Sequence, residues 1–379
     1  DQRLIAAAAL EGGELALRLG KTADGVAELR RAHDALEKRA AADPNNAAAQ
    51  HDLSVSHEKI GDALMQTGDA AGALKAYRED LRIAEKLAAA DPSNAQAQRD
   101  LSVSHEKIGD ALMTTGDTAG ALNAYRDSLG IRRKRAASDP SNAEAQRDLS
   151  VSHEKIGDAL MTTGDTAGAL NAYRDSLGIR RKRAASDPSN AEAQRDLSVS
   201  HEKIGDALMT TGDAAGALNA YREGLKIAEK LAAADPSNAE AQRDLSVSYE
   251  KIGDALMTTG DVAGALKAYR DSFEITSKLA AADPASAFAQ RTVSVSHEKI
   301  GNALMKTGDA AGALKAYRDS FEITSKLAAA DPASAFAQRT VLISHVKLSG
   351  VATVADERKT HLRQALAIAQ RLAAEGRLA

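Results

Sequence analysis

The chain has 379 residues, 44% of them hydrophobic but only 3% aromatic, with no cysteine and a formal net charge of −4. So little aromatic mass, with alanine supplying much of the apolar count, argues against a large globular core and favours thin layers between helices. The lack of cysteine excludes disulfides, thiolate metal sites and cysteine nucleophiles, and the balanced charge argues against a general binder of nucleic acid or anionic membrane.

Neither a signal peptide nor an apolar run of about 18 residues is present, so no membrane contact is expected and a cytoplasmic location is. Asp1 is not an initiator methionine, and helical patterning begins almost at once, so a segment of a longer or processed protein is expected.

Residues 1–44 form a drifted unit in which Gly12-Gly13, Gly20 and Asp43-Pro44 keep the register of the interior repeats. Six copies of a 48-residue unit then run without a slip, at 45–92, 93–140, 141–188, 189–236, 237–284 and 285–332. Their common string S-V-S-[HY]-E-K-I-G-[DN]-A-L-M opens at Ser54, Ser102, Ser150, Ser198, Ser246 and Ser294. Residues 333–379 drift again, with a turn shortened around Val354–Thr360 and Gly376 placed to stop a last helix. Self-similarity at such a period marks a solenoid, and unlike ends on like interior units read as caps.

Within the copy at 141–188, Asp139-Pro140 marks a helix start, because proline is tolerated in a first turn. Ser141-Asn142-Ala143-Glu144 reads as a capping box, with Ser141 covering an amide and Glu144 reaching back, so a helix is predicted from about Ser141 to Thr163. Gly164 suits a left-handed closing position, and Asp165 caps a second helix over about 166–185. Leu149, His153, Ile156 and Leu160 form the stripe that packs on that second helix, while Val151, Glu154, Asp158 and Met161 lie on the far side. No segment alternates with period two, so no strand is predicted.

These residues resemble the tetratricopeptide repeats. The family's signature positions are matched or replaced by His153, Ile156-Gly157, Leu160, Gly164, Ala169, Tyr173, Ser176 and Pro188. The family unit has ~34 residues; here each helix is two turns longer, similar to kinesin light chains and to repeat-tailed bacterial signalling proteins. The resemblance implies an all-α, right-handed superhelical solenoid of eight antiparallel helix-turn-helix repeats. Family members that clamp a partner's C-terminal carboxylate carry basic or amide groups where Glu154 and Asp158 stand here, which argues against an acidic tail as ligand.

Three rows recur on the far side of the first helices. Glu58, Glu106, Glu154, Glu202, Glu250 and Glu298 occupy one position, and Asp62, Asp110, Asp158, Asp206, Asp254 and Asn302 stand four residues on. Like charges at that spacing cost a helix ~0.2–0.5 kcal/mol per pair. An acidic strip for a basic partner explains them, and so does neutralisation by Lys59, its equivalents or arginines of adjacent units. Met65, Met113, Met161, Met209, Met257 and Met305 form the third row, suited either to an adaptable groove floor or to packing between units. The histidines at the His153 position lack the second histidine of H-E-x-x-H, with Gly157 in its place, so packing is expected and no metal or cofactor is.

Arg132, Arg133, Arg180 and Arg181 belong to the two dense basic runs, which read as a solvated outer face or as a nucleic-acid patch without aromatics for stacking. No phosphate loop, dinucleotide fingerprint or serine elbow is present, so no catalytic residue is assigned. The sequence thus points to a scaffold or sensor holding a peptide or protein, basic in character, on a concave and partly acidic surface, as part of a larger signalling or defence protein. The alternatives are a self-associating array and nucleic-acid binding through the basic runs.

Overall fold

The computed structural model describes residues 2–377, and among these sixteen α-helices follow one another with no strand between them. The chain divides into two compact units, one ending at Asp187 and the other beginning at Pro188. In the first, the hairpins are α1 (Gln2–Arg18) with α2 (Thr22–Ala42), α3 (Ala47–Gln66) with α4 (Ala70–Ala90), α5 (Ala95–Thr114) with α6 (Thr118–Ser138), and α7 (Ala143–Thr163) with α8 (Thr166–Ser186). The second pairs α9 (Ala191–Thr210) with α10 (Ala214–Ala234) and α11 (Ala239–Thr259) with α12 (Val262–Ala282). It ends with α13 (Ala287–Thr307) on α14 (Ala310–Ala330) and α15 (Ala335–Val351) on α16 (Ala355–Ala374). Within each unit every helix packs on its chain neighbours, which is the architecture of an all-α solenoid.

Turn chemistry sets the helix ends. Asp165 Oδ1 accepts from Gly168 N at 2.9 Å, and Gly164 takes φ +82°, where a side chain would be strained. The other end differs from the capping-box expectation. Asp139 Oδ1 accepts from both Ser141 N (3.0 Å) and Ser141 Oγ (2.6 Å), so the serine hydroxyl is consumed in an Asx turn. Asn142 therefore caps α7, accepting from Ala145 N at 2.9 Å, and Glu144 lies 3.2 Å from Arg99 Nε instead of reaching back. At the C-terminal end, α16 starts at Ala355, so the shortened turn is 352–354 and most of the segment read as turn is helical.

Close approach of the two helices in each of the six interior hairpins comes from glycine. A Cβ on Gly157 would lie under 3.0 Å from the Tyr173 ring, and the same tyrosine-on-glycine contact recurs at Gly61, Gly109, Gly205, Gly253 and Gly301. Around it the core is mostly alanine, with Ala111, Ala121, Ala207, Ala217, Ala255 and Ala265 fully buried. The serines of the S-V-S string are buried as well. Ser102 and Ser150 return their hydroxyls to the carbonyls three residues back, at 2.7 Å each, which lets a small polar group sit between helices at little cost. No helix among the described residues is long and apolar enough to cross a membrane.

Candidate partner-binding face

The typical aspartate of the ladder is held from two sides. The buried tyrosine of its own hairpin donates to it, as Tyr125 Oη does to Asp110 Oδ1 (2.7 Å) and Tyr221 Oη to Asp206 Oδ1 (2.6 Å). The lysine of the next hairpin donates to the same carboxylate: Lys107 to Asp62 (2.6 Å), Lys155 to Asp110 (2.7 Å), Lys251 to Asp206 (2.6 Å) and Lys299 to Asp254 (2.7 Å). Burial first, and the aspartate bond second, push the Tyr125 and Tyr221 phenols well above the ordinary range. Neutralisation by the equivalents of Lys59 is therefore observed, and it stitches consecutive hairpins together. Asn302 does the same work uncharged, accepting from Tyr317 Oη at 2.9 Å and Lys347 Nζ at 2.8 Å.

The glutamate row sits deeper, and its partner depends on one position of the second helix. Arg132 is only 3% exposed and reaches Glu106 (2.5 Å), Ser102 Oγ (3.2 Å), the Asp148 carbonyl (3.2 Å) and Ser152 Oγ (3.1 Å). Arg180 is equally buried against Glu154 (2.5 Å) and Ser150 Oγ (3.3 Å). Neither arginine is on a solvated face, which corrects the basic-patch reading for those two; Arg133 and Arg181 are exposed. The reason is angular: Arg132 lies four and seven residues from Ser128 and Tyr125 and four before Ala136, all buried, so it belongs to the inward stripe of α6.

Where that position holds Ala84, Ala228 or Thr276, no guanidinium arrives. Burial then pushes the Glu58, Glu202 and Glu250 carboxyls up, Glu202 to about 7. Ser248 donates to Glu202 Oε1 at 3.0 Å.

Met65, Met113, Met209 and Met257 are half-buried against the cores between hairpins; Met161 is likewise partly covered and Met305 is exposed. Asp254 and Met257 of α11 meet Glu298, Lys299 and Asn302 of α13 in one open cleft of about 470 Å³, with Val295 and Thr258 beside them. Burial pushes the His105, His153 and His297 imidazoles down and His57 to about 4, which keeps them neutral in the packing position expected of them. Among the described residues no group of three or more His, Asp or Glu side chains is arranged to hold a metal ion.

A further row escapes the sequence patterns described above. Arg99 pairs with Asp148 (3.3 Å) and Glu144 (3.2 Å), and Arg195 with Asp244 (2.5 Å) and Glu240 (3.1 Å). In the last copies Phe288 and Phe336 replace the glutamate. Arg243 and Arg291 then stack on those rings, 5.2 and 4.1 Å from the centroids. The sequence does carry a signal for it, an arginine recurring at 48-residue steps beside an acid that becomes phenylalanine.

No family profile and no curated protein matches the chain. Solved structures do. RapI in its apo form superposes with a TM-score of 0.63 over 97% of this chain and 86% of that one, at 11% identity. The signal-transduction ATPase with numerous domains that carries a tetratricopeptide repeat sensor, from Pyrococcus horikoshii, gives 0.61 over 97% of this chain at 13% identity, and this chain spans 48% of that protein. BtubC from P. vanneervenii gives 0.53 over 67% of this chain and 90% of that one, at 16% identity. At such identities the likeness speaks for fold alone, and with the helical hairpins and the repeated tyrosine-on-glycine contact it identifies an array of tetratricopeptide-type repeats.

Proposed function

We propose that the chain is a protein-interaction module that holds a peptide or protein segment along the face formed by its first helices. The observation that carries this reading is the repeated, half-exposed row of glutamate, lysine, aspartate and methionine, open enough in the second unit to form the cleft beside Asp254, Met257 and Glu298. A partner lying there would meet the same side chains at each step, so affinity would accumulate from many weak contacts.

The acidity of this face is smaller than the carboxylates alone suggest, because the lysine ladder offsets the aspartates. A net negative charge is left only in the copies at 45–92, 189–236 and 237–284, where no arginine meets the glutamate and an aspartate stands four residues on, and these copies can steer a basic partner. By analogy with the repeat sensor in the Pyrococcus horikoshii protein, a sensing or scaffolding arm of a larger protein suits the fold.

The test uses a variant with Glu202→Gln, Asp206→Asn, Glu250→Gln and Asp254→Asn. It should fold, because Asn302 already serves the tyrosine and lysine bonds in one native copy. Capture from the source cell's lysate should recover a partner with the parent and lose it with the variant, more so at low salt. Equal recovery by both removes the charged face from the binding account.

A further inference from the structure

The shell around Arg132 recurs with its arginine at Arg180 and without it in α10. In the first unit the guanidinium is held by Ser102 Oγ, Glu106, the Asp148 carbonyl and Ser152 Oγ. Two repeats on, the same positions carry Ser198, Glu202, Asp244 and Ser248, but α10 offers Ala228 where α6 has Arg132, and Leu231 where α6 has Arg135. A cleft of about 60 Å³ is left there, lined by Arg195, Ser198, Glu202, Ala228, Asp244 and Val247, among others. One water needs ~10–15 Å³, so the space exceeds a single water.

Charge differs along with the space. In the first unit Glu106 and Asp148 are met by Arg132, Arg135 and Arg99. In the second, Arg195 is committed to Asp244 and Glu240, and Lys251 to Asp206. Glu202 keeps one hydrogen bond, from Ser248, and among the described residues no ion pair. A carboxylate half-sunk between three helices, beside a hole shaped by the loss of an arginine side chain, is a receptor for that side chain's head group.

We propose that the cleft between α9, α10 and α11 beside Glu202 binds a guanidinium group, supplied either as a small ion or as an arginine side chain of a docking peptide. This rests on the cleft and its filled counterpart and not on the reading of the first-helix face. Binding requires the carboxylate form. The charged groups facing it are Asp206 and Arg195 on α9, the latter paired with Asp244 and Glu240, and Asp244 and Lys251 on α11; the arginine of any ligand stays charged throughout, so affinity should fall as pH drops through about 7.

The experiment is calorimetric titration of the full chain at pH 8 and at sub-denaturing concentrations. Guanidinium chloride is compared with ammonium chloride, and the amidated tripeptide Gly-Arg-Gly with Gly-Lys-Gly. Saturable heat with guanidinium and the arginine peptide supports the side-chain source; saturation with the free ion alone supports a small-ion site. Ala228→Arg should fill its own cleft and abolish binding, and Glu202→Gln should weaken it by ~30-fold or more. Arg132→Ala, which opens the equivalent hole in the first unit, should add a second site. Equal response to ammonium, no saturable heat, or binding undiminished in Glu202→Gln would each overturn the assignment, whether or not Ala228→Arg folds.

Discussion

Arg132→Ala is expected to destabilise the first unit by ~3 kcal/mol, in the range for removing one member of a buried ion pair. The side chain is 3% exposed and binds one carboxylate, two hydroxyls and a backbone carbonyl drawn from α5 and α7. All four would lose this donor at once, and Glu106 would be left in the environment that pushes Glu202 up. Adding Glu106→Gln to Arg132→Ala should recover much of the loss, since a neutral amide need not be desolvated as a charge. Hydrogen exchange over α5–α7, or the first urea transition, reads the effect; a change below ~1 kcal/mol would show that the arginine is solvated in solution.

Gly157→Ala carries the second large effect, and its sign is diagnostic. Helix propensity alone predicts that alanine in mid-helix stabilises by ~1 kcal/mol. The new methyl group would overlap the buried ring of Tyr173, whose hydroxyl is fixed on Asp158, so the ring cannot retreat without losing that bond. We expect a loss of ~1–3 kcal/mol instead. Gly130→Ala on α6 is the control. Nothing stands within 4 Å of a Cβ there, so the propensity gain should appear unopposed. If Gly157→Ala and Gly130→Ala both stabilise, the close helix approach is not a determinant of the hairpin.

The period of 48 makes the architecture legible, because a pattern that repeats in register needs only one unit to be understood. Gly164, Asp165 and the hairpin pairing follow from turn chemistry, and the structure has them as expected. The cap at Asn142 is harder to read because a serine and an asparagine stand side by side, and only the Asx turn at Asp139 decides which is free. Arg132 is hidden for a different reason. A run of four cations reads as solvent-facing by composition, whereas its spacing from Tyr125 and Ser128 puts one of the four inward. The aspartate ladder is visible as a row, but its partners come from Tyr residues 15 positions away and Lys residues 45 positions away, separations that helix periodicity does not encode. Repetition also conceals difference: Ala228 and Leu231 stand where α6 has Arg132 and Arg135, among several changes between the two helices, and their consequence emerges only when the two shells are compared.

The most direct test of the central claim is where a partner touches the array. Photo-crosslinking residues placed singly at Thr258 and Val295, on the first-helix cleft, should trap a captured partner, whereas the same residue at Lys226 or Lys278, exposed on second helices, should not. Crosslinks confined to the second-helix positions would contradict the account and assign binding to the opposite face.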